Sequence, residues 1–95
     1  MLLFELKASN ARELTEDKIN KKSADAYHSL RRALNKKIIK ATKQGKFECE
    51  IMVPDAMVSS HRERLINELK NDGYQVHYYS GTQYLDVNWR YAKDE

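Results

Sequence analysis

The stretch "KKIIKATKQGKFECEIMV", residues 36–53, changes its periodicity halfway and decides the fold. Its first half continues a series of apolar residues spaced three or four apart, which predicts one face of an amphipathic helix. From Phe47 to Val53 apolar and polar residues alternate, which predicts a half-buried strand. Gly45 lies between the two patterns and can adopt the left-handed conformation that ends a helix. The apolar series of the helix is Tyr27, Leu30, Leu34, Ile38 and Ala41.

Upstream of this junction, the sequence predicts one long helix. Asn10 followed by Glu13 forms a capping-box pattern, which places the start of the helix at Asn10 and its end at Gly45. Such a helix is about 51 Å long, whereas a domain of this size has a radius of gyration near 12 Å by the usual scaling. We therefore expect part of the helix to protrude, bend or dock on another chain. The segment from Ser23 to Asp25 is a candidate kink.

Downstream of the junction, the sequence predicts a second helix and two further strands. Pro54 ends the first strand, and the second helix is capped either by Asp55 or by Ser60 with Glu63 and ends at Gly73. A hairpin turn at Gly81 joins the last two strands. The predicted inward residues are Val58, Leu65, Ile66 and Leu69 of the helix, Phe47, Cys49, Ile51 and Val53 of the first strand, and Val76, Tyr78, Leu85, Val87 and Trp89 of the last two.

These elements predict an α+β fold in the order helix, strand, helix, strand, strand. The last strand is expected to lie antiparallel between the other two, in a three-stranded mixed sheet with both helices on one face. We expect a single domain over residues 10–92. Residues 1–9 are expected to form an apolar arm or a short strand.

Composition indicates a small basic protein with a thin core. Apolar residues make up 41% and charged residues 33%, and the net charge is +3. Between residues 18 and 46 the chain has ten Lys or Arg and a single acid, Asp25, so its positive charge is concentrated there. No signal-peptide pattern and no membrane-length apolar run is present. The lone Cys49 excludes an internal disulfide, and a cytoplasmic location is expected.

Three segments carry a family likeness. The runs "GKFECEI" (45–51), "LINELKNDGYQV" (65–76) and "YLDVNW" (84–89) follow a lysine-rich helix. In this order they resemble a class of small accessory proteins of tailed bacteriophages. The resemblance implies the same architecture and a phage source, and hence a location in the cytoplasm of an infected bacterial host or in the virion. It implies no particular activity.

The sequence contains no group of residues that predicts catalysis, a metal site or a cofactor. His28, His61 and His77 are far apart and are expected to be solvated surface residues. Cys49 lies on the inward face of its strand, where a buried thiol is common. The carboxylates Glu48, Glu50 and Asp86 superficially suggest a Mg²⁺ cluster, but such faces are more often solvated or paired with basic partners. We therefore expect the protein not to be an enzyme.

Two surfaces are candidates for partner binding. The first is a basic stripe on the long helix, which is either an ordinary solvated face or a recognition surface for an acidic partner such as phosphates. It comprises Arg32, Lys36, Lys40 and Lys43, with Lys37 beside it. The second is the outer face of the sheet, whose mixture of aromatic and acidic groups favours a protein contact. Its residues are Glu48, Glu50, Met52, His77, Tyr79, Tyr84, Asp86, Asn88 and Arg90.

The leading functional prediction is a non-enzymatic phage accessory protein that binds another protein, either a host factor during takeover or a phage structural partner. The alternative is a nucleic-acid-binding protein that uses the basic stripe, and a small hydrolase around His77 is a third, weaker hypothesis. The two charged surfaces are expected to lie back to back without a shared cleft. Self-association into a homo-oligomer is also expected, and the arm residues Leu2, Phe4 and Leu6 are candidates to cover the sheet within the chain or across a dimer.

Overall fold

A computed structural model describes residues 6–92. The elements occur in the predicted order. They are α1 (Ala8–Lys43), β1 (Glu48–Met52), α2 (Ser59–Asn71), β2 (Gln75–Tyr79) and β3 (Tyr84–Asn88).

Helix α1 is a single helix of 36 residues, about 54 Å long, and it continues through the predicted kink at Ser23–Asp25. The molecule therefore has principal extents of 67 × 24 × 23 Å and a radius of gyration of 18.0 Å. The predicted capping box at Asn10 is wrong, because the Ala11 amide already donates to the Lys7 carbonyl at 2.9 Å and the first turn begins earlier. Ala8 and Ser9 thus belong to the helix and not to the predicted arm, whose first five residues lie outside the described ones.

The predicted end of α1 is confirmed. Gly45 has φ 74°, in the left-handed region that favours glycine. This turn lets the Lys46 amide donate to the Ala41 carbonyl at 2.9 Å, which satisfies a carbonyl in the last turn of the helix. The chain then turns directly into β1.

The sheet has the strand order β1-β3-β2, with β3 antiparallel to both neighbours, as predicted. Because the two parallel strands β1 and β2 never touch, every ladder is antiparallel, and the sheet is antiparallel rather than mixed. The turn at Gly81 is confirmed, although the left-handed residue there is Gln83, with φ 63°. Its amide donates to the Tyr79 carbonyl at 2.7 Å and its carbonyl accepts the Val53 amide at 2.8 Å.

The core lies between one face of the sheet and both helices. Leu85 and Val87 of the central strand are fully buried against the apolar face of α1 and α2. Among the predicted core residues, Phe47 is exposed, because β1 begins one residue later and the Arg90 guanidinium lies over its ring at 4.5 Å. Met57 is buried without having been predicted. The buried residues are Ser23, Tyr27, Leu30, Leu34, Ala41, Ile51, Val53, Met57, Leu65, Ile66, Leu69, Leu85 and Val87, and Ile38, Cys49, Val58, Val76, Tyr78 and Trp89 are half-buried.

The start of α2 is held by a side chain of α1. Neither Asp55 nor Ser60 caps this helix; Val58 occupies the capping position, and its amide donates to Oγ of Ser23 at 2.8 Å. Ser23 is completely buried, and its Oγ also lies 2.6 Å from Nδ1 of His61. Since a hydroxyl that accepts one hydrogen bond can donate another, Ser23 joins the two helices through both of these contacts.

Ser23→Ala should reduce the free energy of unfolding by about 1–3 kcal/mol, because the half-buried Val58 amide loses its acceptor. Urea denaturation measures this change. The matched control is Ser29→Ala, at an exposed position of the same helix, where the same gain in helix propensity applies and the change should stay within about 0.5 kcal/mol. Equal effects of the two substitutions would show that the buried hydroxyl does not hold α2.

Candidate functional site

The face of the sheet turned away from the helices, here called the outer sheet face, is an ordered grid of nine side chains. Strand register places them in three rows that cross all three strands. Seven of the nine side chains are exposed, and Asp86 and Asn88 of the central strand are half-buried. The rows are Met52–Tyr84–Tyr79, Glu50–Asp86–His77 and Glu48–Asn88–Gln75.

The first row is apolar and aromatic. Met52 is 52% exposed, Tyr79 46% and Tyr84 36%. Directly opposed side chains on neighbouring strands are in contact distance of one another, so these three form one continuous patch. Exposed Tyr and Met side chains of this kind are enriched in protein interfaces.

The second row carries negative charge beside an imidazole. Glu50 and Asp86 are direct cross-strand neighbours, and His77 flanks Asp86 on the other side. Two opposed carboxylates destabilise a sheet, so the fold itself gains nothing from this pair. The His77 ring also lies 4.3 Å from the Tyr79 ring, which connects the charged row to the aromatic one.

Arg90, which was predicted on the same face, lies just beyond the end of β3. Its amide donates to Oδ1 of Asn88 at 2.8 Å, and its guanidinium covers Phe47 rather than the grid. The other predicted residues of this face, Glu48, Glu50, Met52, His77, Tyr79, Tyr84, Asp86 and Asn88, are brought together in the grid.

The basic stripe forms on α1 as predicted, with one exception. Arg32, Lys36, Lys40 and Lys43 are all exposed, on the side of the helix opposite its buried residues. Lys37 points instead toward the sheet, where its Nζ donates to the Glu50 carbonyl at 3.0 Å. This carbonyl lies on the free edge of β1. Phe47 accepts from the Trp89 amide and Val53 donates to the Gln83 carbonyl, one residue beyond either end of β3, so the peptide groups of the alternate residues face outward. A lysine at a strand edge discourages pairing with another chain.

The expectation that the two charged surfaces share no cleft is wrong at the β1 edge. An open groove of about 950 Å³ runs there between the last turns of α1 and the outer sheet face. It arises because β1 is an edge strand and α1 lies beside it. The lining of the groove contains charges of both signs. The cations are Lys37, Lys40 and Lys46, and the carboxylates are Glu48, Glu50 and Asp86.

Cys49 also lines this groove, but its environment makes it a weak nucleophile. Burial raises the pKa of the Cys49 thiol, with the nearby Lys37 lowering it and Asp86 raising it by smaller amounts. The reactive thiolate is therefore scarce at neutral pH. None of the residues that line the groove is a histidine.

The histidines differ in their surroundings. His28 and His77 are exposed, whereas His61 is half-buried and contacts Ser23 and the ring of Tyr27, so its prediction as a solvated residue is wrong. The hydrogen bond between Ser23 and His61 resembles that of a catalytic nucleophile and its base. The serine hydroxyl, however, is inaccessible to solvent and already accepts a hydrogen bond from the Val58 amide. The pair is therefore structural. Ser23 lies four residues before Tyr27, in register with the apolar series, and this spacing is the signal that could have revealed its burial.

A second open groove, of about 530 Å³, lies between the two helices and was not predicted. Leu34, Leu65 and Leu69 contribute to its floor. Glu68 at its rim accepts a hydrogen bond from the Tyr27 hydroxyl and pairs with the guanidinium of Arg31 at 3.4 Å. These contacts connect α1 to α2. The groove between the helices is open to solvent and is lined by both apolar and charged side chains.

Residues 6–92 contain neither a metal-binding cluster nor a membrane-spanning helix. The described side chains include no group of three or more His, Cys, Asp or Glu placed to hold a metal ion. In the same part of the chain, no helix combines the length and apolar character needed to cross a membrane.

No protein-family model, curated protein or solved structure shows a significant match to the chain.

The rate at which the Cys49 thiol is alkylated should depend on the charges of Lys37 and Asp86. We expect alkylation by iodoacetamide at pH 7 to be slower than that of free cysteine and to accelerate as the pH rises above the ordinary thiol pKa, because burial keeps the thiol protonated. Asp86→Asn should lower the thiol pKa and speed the reaction, whereas Lys37→Gln should raise the pKa and slow it. Mass spectrometry of the modified fraction against time measures the rates. Identical pH profiles for the two variants would contradict this account.

Proposed function

We propose that this protein is a non-enzymatic accessory protein that binds another protein through its outer sheet face. The observation that carries the proposal is the exposed row Met52–Tyr84–Tyr79, placed directly beside the row Glu50–Asp86–His77. The first row offers large anchors of the kind that dominate binding energy. The second offers charges that select the partner and orient it.

The chemistry of this face also defines the class of partner. Carboxylates repel phosphate groups, so the face is unsuited to stacking nucleobases in spite of its tyrosines. A protein surface with an apolar pocket for the aromatic row and a Lys or Arg for Glu50 and Asp86 complements both rows. Such a partner would also relieve the unfavourable proximity of the two carboxylates.

The proposal includes a phage origin, which rests on the resemblance carried by residues 45–51, 65–76 and 84–89. On this view the protein acts in the cytoplasm of an infected bacterial host, on a host factor, or in the virion on a structural protein. The free sheet face suits either role, because both require a protein partner and no reaction.

A photo-crosslinking amino acid at position 79 should capture this partner. With benzoylphenylalanine in place of Tyr79, we expect one dominant crosslinked protein in an extract of phage-infected cells, identified by mass spectrometry. Adding Glu50→Lys should reduce its yield about tenfold or more, since reversing a charge at a complementary interface costs several kcal/mol.

The matched control has the crosslinker at Tyr91, an exposed aromatic residue outside the grid. The same protein captured equally from both positions, or undiminished by Glu50→Lys, would count against the outer sheet face as the docking surface. The circular dichroism spectrum of each purified variant should match that of the unmodified protein, which shows that the variant is folded.

We also propose that the protein self-associates through the first half of α1. From Ala8 to Lys22 every residue is exposed except Ala11, and Leu14 and Ile19 are large apolar side chains among them. An unsupported helix of this length is marginal in water. A second copy can stabilise it by covering Ile19, which lies nearer the side of the buried residues than the opposite side of α1.

Sedimentation velocity should therefore show dimers that dissociate on dilution. Ile19→Asn should shift the dissociation constant at least about tenfold toward monomer, because the interface loses its apolar contact. The control is Ile39→Asn, an equally exposed residue on the half of α1 that packs against the sheet. A strict monomer at the highest soluble concentration would exclude this mode of association.

A further inference from the structure

The outward side of α1 presents one continuous line of eight exposed positions, spaced three or four residues apart. This line lies on the opposite side of the helix from the buried residues, which follow the same spacing from Ser23 to Ala41. The domain therefore does not obstruct it. The line, here called the outward line, consists of Lys18, Lys22, Asp25, Ser29, Arg32, Lys36, Lys40 and Lys43.

The charges of the outward line are nearly all of one sign. Six of its eight residues are cations and one is an anion, over a length of about 38 Å. None of the ion pairs within residues 6–92 uses any of these six cations. By contrast, basic residues that point toward the domain are engaged: Arg31 pairs with Glu68 and Lys37 with the Glu50 carbonyl.

An ordinary solvated helix face differs from this line in its mixture of signs. On α2, Arg62 lies beside Glu63 and Arg64 pairs with Glu68. On α1, Arg32, Lys36 and Lys40 are successive i,i+4 neighbours, an arrangement that destabilises a helix, and the chain has no acid between Ala26 and Lys46. These like charges repel one another in the free protein, and a polyanionic ligand would relieve the repulsion.

We infer that the outward line is a binding surface for double-stranded DNA. Its length exceeds that of any small anion, and Lys18 and Lys22 extend it beyond the region that packs against the sheet. A helix about 10–12 Å in diameter fits the major groove of B-form DNA, which is about 12 Å wide, but not the narrow major groove of duplex RNA. The line contains no aromatic side chain, so it offers no stacking platform for single strands.

This surface and the outer sheet face lie on different sides of the two-layer fold, and they approach each other at the β1 edge, where Lys40 lines the same groove as Glu48, Glu50 and Asp86. The helices cover the inner face of the sheet, and the outward line points away from that layer. The protein can therefore hold duplex DNA and a protein partner at the same time. The inference goes beyond protein binding, and each activity can be lost by substitutions that leave the other intact.

The test is fluorescence anisotropy with a labelled 16-base-pair duplex at 50 and 200 mM salt. Contacts from all six cations would give a log-log salt slope of about −5, which corresponds to an affinity loss of about 10³-fold over this range. Lys36→Glu with Lys40→Glu should remove about two units of slope, and Lys18→Glu with Lys22→Glu should do the same. Circular dichroism confirms that each variant keeps its helices.

The control is Lys70→Glu, at an exposed position of α2, compared with Lys36→Glu, which changes the net charge equally. Weakening of DNA binding by Lys36→Glu alone supports the outward line, whereas equal weakening by both overturns it in favour of nonspecific attraction. No binding at 50 mM salt overturns the inference. A 16-nucleotide single strand or a duplex RNA bound as tightly as the DNA also overturns it, because the argument depends on the width of the groove.

Discussion

The packing of both helices against one face of the sheet is the contact on which the other surfaces depend. Leu85 and Val87 of β3 lose all solvent exposure in one apolar cluster with Tyr27, Leu30 and Leu34 of α1 and the apolar side of α2. A chain of 95 residues can bury only one such layer. One face of the sheet and one side of α1 are consequently left in water, and these two free surfaces carry the side chains on which the functional proposals rest.

The polar contacts determine how the layers are joined rather than whether they form. Ser23 places the start of α2, and the Tyr27 hydroxyl with Arg31 and Arg64 converges on Glu68. The contacts of Ser23, Tyr27 and Arg31 connect α1 to α2, and the Arg64 contact orients the Glu68 carboxylate within α2. The helices are thus held in one relative position over the sheet, so that the outward line and the outer sheet face keep a fixed position relative to each other.

Charge has different roles on the two sides of the molecule. On the outer sheet face, Glu50 and Asp86 are adjacent because strand register places them there, and their proximity to tyrosines suits a mixed apolar and basic protein surface. On α1, cations recur with helical spacing and extend past the domain. The groove at the β1 edge is the place where the two sets meet, and there the Lys37 ammonium is already bonded to the Glu50 carbonyl.

Periodicity and the glycine positions were enough to predict the five elements, most of the core residues and the ends of α1 and α2 at Gly45 and Gly73, because spacing and left-handed glycines are local properties of a chain. Phe47, predicted inward, and Met57, not predicted, are the exceptions in the core. Helix starts could not be obtained in this way. The amide of Val58 is satisfied by Ser23, 35 residues away, and no local pattern reports such a partner. The grid of the outer sheet face and the groove beside β1 were also decided only by tertiary structure, because cross-strand register and the position of an edge strand depend on which segments pair in space.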